Sequence, residues 1–187
     1  MLIEAIRYMN GDDLCCGSIF GQEKNVVNAA IAKMNLFLHG ASDFNVRHGD
    51  TLRNPKILQS GALARFDCVI ANPPFSLEKW GSTEWSNDKY GRNIWGTPSD
   101  SCGDFAWIQH MVSSMAFGKG RMAVVMPQGI LFRGQQDGEI RKKLVQSDLV
   151  EAVVTLGDKL FYGTQLSPCF LILRRIKPAE HSARVLM

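Results

Sequence analysis

Residues 69 to 75 read Val-Ile-Ala-Asn-Pro-Pro-Phe, and this stretch says more about the fold and the function than any other part of the chain. The mainly apolar run 66–71 has the length and the β-branched content of a buried strand. Pro73 and Pro74 end that strand, because proline has no backbone N–H for the strand ladder and holds φ at about −65°. The sequence therefore predicts a rigid loop directly after a buried strand.

The loop that begins at Asn72 offers chemistry suited to a planar amine. Open α/β folds bind their ligands at the carboxyl edge of the sheet, where this loop is expected to lie. The side-chain oxygen of Asn72 and a proline carbonyl oxygen are two hydrogen-bond acceptors, and the ring of Phe75 is a flat surface beside them. An amine with two N–H donors matches this set. The alternative is a plain β-turn, since Asn-Pro and Pro-Pro are common loop dipeptides.

The composition is that of one ordinary globular domain. The chain has 187 residues, of which 45% are hydrophobic and 21% are charged. A net charge of +3 permits contact with nucleic acid without requiring it. The cysteines form no C-x-x-C pair and have no histidine at metal-ligand spacing, so no metal site is expected. Without a signal-peptide pattern or a long apolar run, the sequence predicts a cytoplasmic protein that does not enter the membrane.

Helical and strand periodicity alternate along the chain. The predicted elements are helices over 2–9, 25–39, 104–115 and 138–146 and strands over 18–22, 44–48, 66–71, 122–126, 149–156 and 168–176. Asp104 is expected to be the N-cap of its helix. Strands that alternate with helices predict a doubly wound α/β fold whose sheet is mainly parallel.

The stretch 76–103 has no periodicity and is predicted to be a mobile loop within the domain. It contains three tryptophans and three basic residues, namely Trp80, Trp85, Trp95, Lys79, Lys89 and Arg92. Basic residues interleaved with aromatic residues are typical of surfaces that contact DNA around a flipped base. The alternative is that the tryptophans pack on other domains.

Several further blocks occur in an order that is typical of one family. They are 21–25, 32–40, 47–52, 104–111, 120–127, 131–134, 138–143 and 160–164. Together with Asn-Pro-Pro-Phe, these blocks resemble the methylation subunit of type I restriction-modification systems, an adenine-specific DNA methyltransferase. The resemblance implies an S-adenosylmethionine-dependent methyltransferase sheet, which is Rossmann-like.

The resemblance also implies roles for single residues that bind the cofactor, S-adenosylmethionine. Glu23, at the end of the second strand of the family's sheet, is expected to accept hydrogen bonds from the ribose hydroxyls. Asp50, after the third strand, is expected to lie beside the cofactor's adenine. The structural alternatives are an acid near the start of a helix for Glu23 and a turn-forming aspartate for Asp50.

The resemblance implies that the Asn72-Pro73-Pro74-Phe75 motif is catalytic. Asn72 and the carbonyl of Pro73 are expected to hold the target amine, while Phe75 stacks on the flipped base. Phe161 resembles the aromatic residue that such enzymes place against the other face of the base. The alternative for Phe161 is a core phenylalanine near a strand end.

The family implies DNA as a partner, together with a specificity subunit, a restriction subunit and a possible second methylation subunit. Two other functions stay open. One is a protein glutamine methyltransferase, because a side-chain amide nitrogen fits the same motif. The other is a non-catalytic remnant or assembly module.

The chain departs from the family at the glycine-rich cofactor loop, which is missing. The stretch 13–18 resembles that loop only superficially, because no helix separates it from Glu23. In the family, the strand before the glycine-rich loop lies in the middle of the sheet, between the strands that end at Glu23 and Asn72. We therefore expect residues 1–187 to be the central part of a methyltransferase domain that is truncated at both ends, with an incomplete sheet.

This departure predicts that the chain alone transfers no methyl group and binds S-adenosylmethionine weakly or not at all. Displacing reacting atoms by about 1 Å can cost on the order of a hundredfold in rate, and here a wall of the site is expected to be absent. The measurement is transfer of labelled methyl to adenine-containing DNA by the chain alone and by the chain mixed with a polypeptide that carries the glycine-rich loop, hereafter the complemented enzyme. Activity of the chain alone would contradict the expectation.

Overall fold

The computed structural model describes residues 1–10, 18–157, 160–161 and 166–187. The chain divides into two compact units, Met1–Leu63 and Ala64–Met187, and each unit has its own hydrophobic core. Most of the stretch 13–18, which superficially resembles a glycine-rich loop, lies outside the described residues.

The first unit is built on two parallel strands with a helix between them in sequence. Its elements, in chain order, are α1 (Leu2–Asn10), β1 (Ile19–Glu23), α2 (Val26–Leu38), β2 (Phe44–His48), β3 (Leu58–Gln59) and β4 (Ala62–Leu63). β1 and β2 pair in parallel, with Ile19 opposite Phe44 and Glu23 opposite His48. α2 begins after Asn25, whose side-chain oxygen accepts hydrogen bonds from two backbone N–H groups of the first turn. The strand–helix–strand order predicted for this part of the chain is confirmed.

The second unit contains a four-stranded mixed sheet. Its elements are β5 (Cys68–Ala71), α3 (Ser82–Ser86), α4 (Asp104–Ser113), β6 (Arg121–Pro127), a 3₁₀ helix (Gln128–Leu131), α5 (Gln135–Gln146), β7 (Val150–Thr155), β8 (Pro168–Arg174) and a second 3₁₀ helix (Ala179–His181). The strand order is β5-β6-β8-β7. β5 and β6 are parallel, whereas β8 is antiparallel to both of its neighbours. β8 departs from the predicted parallel pattern, because it lies between β6 and β7, and its pairing with β6 joins parts of the chain that are distant in sequence, which a local pattern does not show.

β6 lies at the centre of the second unit's core. Its side chains Met122, Val124 and Met126 are each at most 1% exposed. The same core includes side chains of the two long helices of this unit, such as Phe105, Ile108, Ile140 and Leu144. Full burial of one such side chain stabilises a fold by roughly 1.5–3 kcal/mol, so this core holds β6 in place. β5 pairs with β6 and is positioned by it. Among the described residues, no helix is both long enough and apolar enough to cross a membrane.

The segment 76–103 is packed by its own aromatic side chains. Trp80 and Trp85 are each 2% exposed, and their rings meet edge to face with centroids 5.6 Å apart. The guanidinium of Arg92 lies 4.6 Å from the centre of the Trp85 ring and pairs with Asp88 at 2.6 Å. A buried guanidinium needs partners of this kind, because a charge that is buried without them is strongly destabilising.

This packing changes the interpretation of the segment's tryptophans. The rings of Trp80 and Trp85 are buried and cannot stack on DNA, so the interpretation of these two residues as DNA contacts is wrong. Trp95 is partly exposed, and Lys79 and Lys89 are exposed. A contact between these three residues and DNA stays a prediction, as does the mobility of the segment.

His110 makes the stability of the second unit depend on pH. Its Nδ1 atom lies 3.3 Å from a guanidinium nitrogen of Arg92, and burial together with the charge of Arg92 lowers the pKa of His110 to about 3. The pKa of an unfolded histidine is about 6.5, so between roughly pH 6.5 and pH 3 the unfolded chain binds a proton that the folded chain does not. The free energy of unfolding should therefore fall as the pH falls through this window, and His110 should have no effect above about pH 7.

The measurement is urea unfolding of the chain at pH 7 and pH 4. Because His110 remains partly exposed, we expect its share of the loss to be on the order of 2 kcal/mol. His110→Gln should remove that share, whereas His181→Gln, at an exposed position, should keep it. An unchanged pH dependence in His110→Gln would contradict this assignment.

Candidate active site

The loop that follows β5 presents the Asn72 side chain to solvent. β5 ends at Ala71, Asn72 is exposed, and Pro73 is buried. Among the described residues, the Asn72 side chain has no hydrogen-bond partner, and no backbone hydrogen bond ends on the carbonyl oxygen of Pro73. The loop therefore holds two acceptors that the fold itself does not use, at the carboxyl end of β5 as the sequence predicts.

β5 is held by its neighbour β6 and by a bridge between Phe66 and Met115, just before the strand begins. Its residues pair in parallel with β6, from Cys68 opposite Arg121 to Ala71 opposite Val124. The strand predicted to begin at Phe66 is interrupted at Asp67. Phe66 instead makes two 2.8 Å backbone hydrogen bonds with the chain that follows α4, donating to Ser114 and accepting from Ala116. These contacts fix the direction in which the chain enters the Asn72 loop.

Phe75 and Phe161 lie next to each other, although 86 positions of sequence separate them. Their ring centroids are 6.4 Å apart and their planes are nearly perpendicular, at 89°. Both residues are partly buried. In this arrangement the two rings cannot both lay a face on one flat base, so sandwiching a base between them requires one ring to turn.

A buried carboxylate anchors the chain directly after Phe75. The backbone N–H of Ser76 donates a 2.8 Å hydrogen bond to Oδ1 of Asp104, which is 0% exposed. The other oxygen, Oδ2, pairs with the guanidinium of Arg133. The N-cap position predicted for Asp104 is wrong, because Gly103 is the N-cap and Asp104 is the first residue of α4.

Three buried or half-buried ionisable groups surround this anchor. Burial lowers the pKa of Arg133, but the hydrogen bond and the charge of Asp104 outweigh burial, so the pKa of Arg133 is raised. Arg133 therefore stays charged. Burial raises the pKa of Asp137, which lies 3.3 Å from Nε of Arg133, and the charge of Asp104 raises it further. Burial also raises the pKa of the Cys102 thiol, which contacts Arg133 at 2.6 Å.

In the first unit, Glu23 lies at the carboxyl end of β1. Its Oε1 atom accepts a 2.7 Å hydrogen bond from the backbone N–H of Asn25, beside the start of α2. Among the described residues, the other carboxylate oxygen of Glu23 has no partner. One oxygen thus binds the backbone beside the start of α2, as the alternative of an acid near the start of a helix predicts for Glu23. The other oxygen is available to a ligand.

Asp50 follows β2, the parallel neighbour of β1, and both of its carboxylate oxygens have partners. Oδ1 accepts hydrogen bonds from the backbone N–H groups of Leu52 and Arg53, each at 3.1 Å. Oδ2 pairs with Lys24 at 2.9 Å. Burial would raise the pKa of Asp50, but Lys24 and the backbone donors outweigh burial and lower it. These contacts are those of a turn-forming aspartate, which is the structural alternative predicted for Asp50.

Asn72 belongs to the second unit and Glu23 and Asp50 to the first, so their predicted convergence on one sheet edge stays a prediction. Sequence reasoning missed Asp104 and Arg133, both of which contact or support the Asn72 loop. An aspartate before an apolar helical pattern suggests a helix cap, and nothing in the local sequence shows that its partner lies 28 residues away. Within the described ranges, no three His, Cys, Asp or Glu side chains cluster closely enough to hold a metal ion.

Comparison with known families accounts for the whole chain. The sequence model of the family described as N-6 DNA Methylase matches residues 1–187. The type I restriction enzyme MjaVII methylase subunit of Methanocaldococcus jannaschii is 36% identical over 196 residues, covering 100% of this chain and 32% of that protein. The HindI methylase subunit of Haemophilus influenzae is 32% identical and covers 86% of this chain and 35% of that protein. The chain spans about a third of the length of these curated relatives.

Solved structures confirm the predicted fold class. The methyltransferase subunit of a type I restriction-modification system from Streptococcus thermophilus superposes with a TM-score of 0.84 at 30% identity, covering 94% of this chain and 37% of that one. A protein from Listeria monocytogenes that is assigned to the class I S-adenosylmethionine-dependent methyltransferases shares the fold at 17% identity, with a TM-score of 0.73 over 98% of this chain and 53% of that one.

The ion pair beneath the Asn72 loop should matter for stability. Arg133→Ala leaves the buried carboxylate of Asp104 without a counter-ion, so we expect it to lower the free energy of unfolding by about 2–4 kcal/mol. Arg121→Ala is the control, because Arg121 is 54% exposed and its pair with Glu151 should contribute less than about 1 kcal/mol. Urea unfolding at pH 7 measures both variants. Equal losses in the two variants would show that the Asp104 pair is no more important than a surface pair.

Proposed function

The chain belongs to the N-6 DNA methylase family, and we propose that it carries the catalytic motif of a DNA adenine N6-methyltransferase of a type I restriction-modification system. The observation that carries this proposal is the loop after β5. There, the exposed Asn72 amide and the Pro73 carbonyl are acceptors without partners among the described residues, and the Phe75–Phe161 pair lies in the same unit.

The chemistry requires that the target amine become a better nucleophile. The lone pair of adenine's exocyclic amine is delocalised into the ring, so the nitrogen is planar and attacks poorly. Hydrogen bonds from its two N–H groups to Asn72 Oδ1 and to the Pro73 carbonyl favour a tetrahedral nitrogen and stabilise the positive charge that develops during attack. Pro73 and Pro74 restrict the loop in advance, so little reorganisation is needed when the amine arrives. As the bond between nitrogen and the methyl carbon forms, the bond between that carbon and its sulfur breaks, and the sulfur keeps the electron pair. The methylated nitrogen then loses one N–H proton to water, because neither Asn72 Oδ1 nor the Pro73 carbonyl oxygen is basic enough to keep it.

The methyl donor we propose is S-adenosylmethionine, which supplies an electrophilic methyl group on a positively charged sulfur. The free carboxylate oxygen of Glu23 fits the role of an acceptor for the ribose hydroxyl groups. Both carboxylate oxygens of Asp50 already have partners, two backbone N–H groups on Oδ1 and Lys24 on Oδ2. We therefore assign Asp50 the task of shaping the turn beside the cofactor's adenine.

Phe75 and Phe161 are proposed to hold the base after it leaves the DNA stack. Stacking of a base on an aromatic side chain contributes about 1–3 kcal/mol, which helps to offset the unstacking energy. The perpendicular arrangement of the rings fits a resting state in which the two rings contact each other until a base separates them.

The proposed partners follow from the relatives, which are described as methylase subunits of type I restriction enzymes. We propose DNA as the substrate and a specificity subunit and a restriction subunit as assembly partners. The family match favours DNA over the side-chain amide of a protein glutamine as the methyl acceptor.

Asn72→Ala tests the central contact of this proposal. In the complemented enzyme, this substitution should lower methyl transfer to DNA by at least about a hundredfold, because it removes one of the two acceptors that act in the transition state. The affinity for S-adenosylmethionine should stay within about a factor of two, since Asn72 is proposed to contact the base and not the cofactor. Asn28→Ala, at an exposed position on α2, is the control and should leave both quantities unchanged.

Two results would contradict the proposal. A large loss of cofactor affinity in Asn72→Ala would place Asn72 in the cofactor site instead. Methyl transfer by the wild-type complemented enzyme to a glutamine-containing peptide, with no transfer to DNA, would show that the acceptor is a side-chain amide.

A further inference from the structure

Two loops leave the same edge of the second unit's sheet, and one buried carboxylate connects them. β5 and β6 are parallel neighbours, so the chain leaves both strands at their shared carboxyl edge. The first loop contains Asn72 and continues to Ser76, and the second runs from the end of β6 to Arg133. Asp104, in the first turn of α4, contacts both loops.

Each oxygen of Asp104 serves a different loop. Oδ1 accepts the hydrogen bond from the backbone N–H of Ser76, and Oδ2 pairs with Arg133. Asp104 is 0% exposed, so bulk water cannot replace a lost partner. Arg133 is 28% exposed, and its Nε atom lies 3.3 Å from Oδ2 of Asp137 without a hydrogen bond between them. The carboxylate is therefore fixed in position by a partner on each oxygen.

The hydrogen bond from Ser76 to Asp104 is made by a residue whose backbone conformation is unfavourable. Ser76 has a φ of +50°, which is the left-handed region and is unfavourable for a residue with a Cβ by roughly 1–2 kcal/mol. This conformation turns the chain directly after Phe75. Because the Ser76 N–H points at Asp104, the anchor stabilises that turn, and the turn determines where the ring of Phe75 lies.

We propose that Asp104 is a positioning residue for methyl transfer, which acts by holding the Asn72-Pro73-Pro74-Phe75 loop through the backbone of Ser76. This inference rests on the proposed function. Arg133 keeps the carboxylate oriented and connects the loop after β6 to the same anchor. Loss of the anchor lets the two acceptors and the Phe75 ring drift from the amine, and a displacement of about 1 Å can cost on the order of a hundredfold in rate.

The test compares Asp104→Leu with Asp104→Asn. Leucine has a similar size and no acceptor, whereas asparagine keeps an oxygen that can accept from the Ser76 N–H. Asp88→Asn is the control, because Asp88 is also an arginine-paired aspartate of the second unit with a buried side chain, but its side-chain oxygens accept from Tyr90 and Arg92 and not from the loop. Two quantities are measured for each protein: hydrogen exchange of the backbone amides over 72–79 in the chain itself, and kcat, KM for DNA and cofactor affinity in the complemented enzyme.

In Asp104→Leu, exchange at Ser76 should rise at least about tenfold relative to the amides of β6, and kcat should fall by about ten- to a hundredfold with cofactor affinity unchanged. Asp104→Asn should recover most of both quantities. Asp88→Asn should leave the Ser76 exchange, relative to β6, and kcat at the wild-type values. This pattern separates positioning from general stability, because a purely structural loss would speed exchange in β6 as much as in the loop.

Other outcomes overturn the inference in distinguishable ways. Wild-type exchange at Ser76 in Asp104→Leu, or an equal rise in β6, would show that Asp104 does not anchor the loop. A faster exchange at Ser76 with an unchanged kcat would leave the proposed function standing and refute the positioning role. If the wild-type complemented enzyme transfers no methyl group to DNA, the proposed function fails and the positioning role fails with it, while the exchange data still decide whether the anchor exists.

Discussion

The absence of a backbone N–H at Pro73 and Pro74 is the constraint on which the proposed active site depends. A strand cannot continue through two residues that donate no ladder hydrogen bond, so β5 stops at Ala71 and the chain leaves the sheet as a stiff loop. Because the strand ends there, no backbone hydrogen bond ends on the Pro73 carbonyl oxygen, and the Asn72 side chain has no hydrogen-bond partner among the described residues. Two acceptors that the fold does not need are thereby held at the edge where open α/β sheets bind their ligands.

The prolines fix the loop where it leaves the sheet, and the rest of the second unit fixes where it goes. Ser76 adopts a left-handed conformation that a buried carboxylate supports, and that carboxylate depends on Arg133 for its charge balance. The segment that follows buries the side chains of Trp80 and Trp85, so β5 flanks the loop on one side and buried side chains flank it on the other. The loop therefore resembles a pre-organised site, which changes little when the ligand binds. Its rigidity comes from residues outside the loop, such as Asp104 and Arg133.

Local patterns predicted the parts of the structure that depend on local physics. Strand length, β-branched content and the two prolines were sufficient for β5 and the Asn72 loop, and alternation of periodicities was sufficient for the α/β class. The antiparallel direction of β8 and the burial of Trp80 and Trp85 depend on contacts between distant residues, which a single sequence does not show. The same holds for the hydrogen bond between Ser76 and Asp104, because a helix-initiating aspartate looks the same whether it caps its own helix or anchors another loop.

The most direct measurement of the central claim is a crystal structure of the complemented enzyme with adenine-containing duplex DNA and a non-reactive analogue of S-adenosylmethionine. The account predicts that the flipped adenine's N6 atom lies about 2.7–3.2 Å from both Asn72 Oδ1 and the Pro73 carbonyl oxygen, with its ring against Phe75. An adenine whose N6 atom is bound by other groups, while Asn72 remains without a partner, would contradict the account.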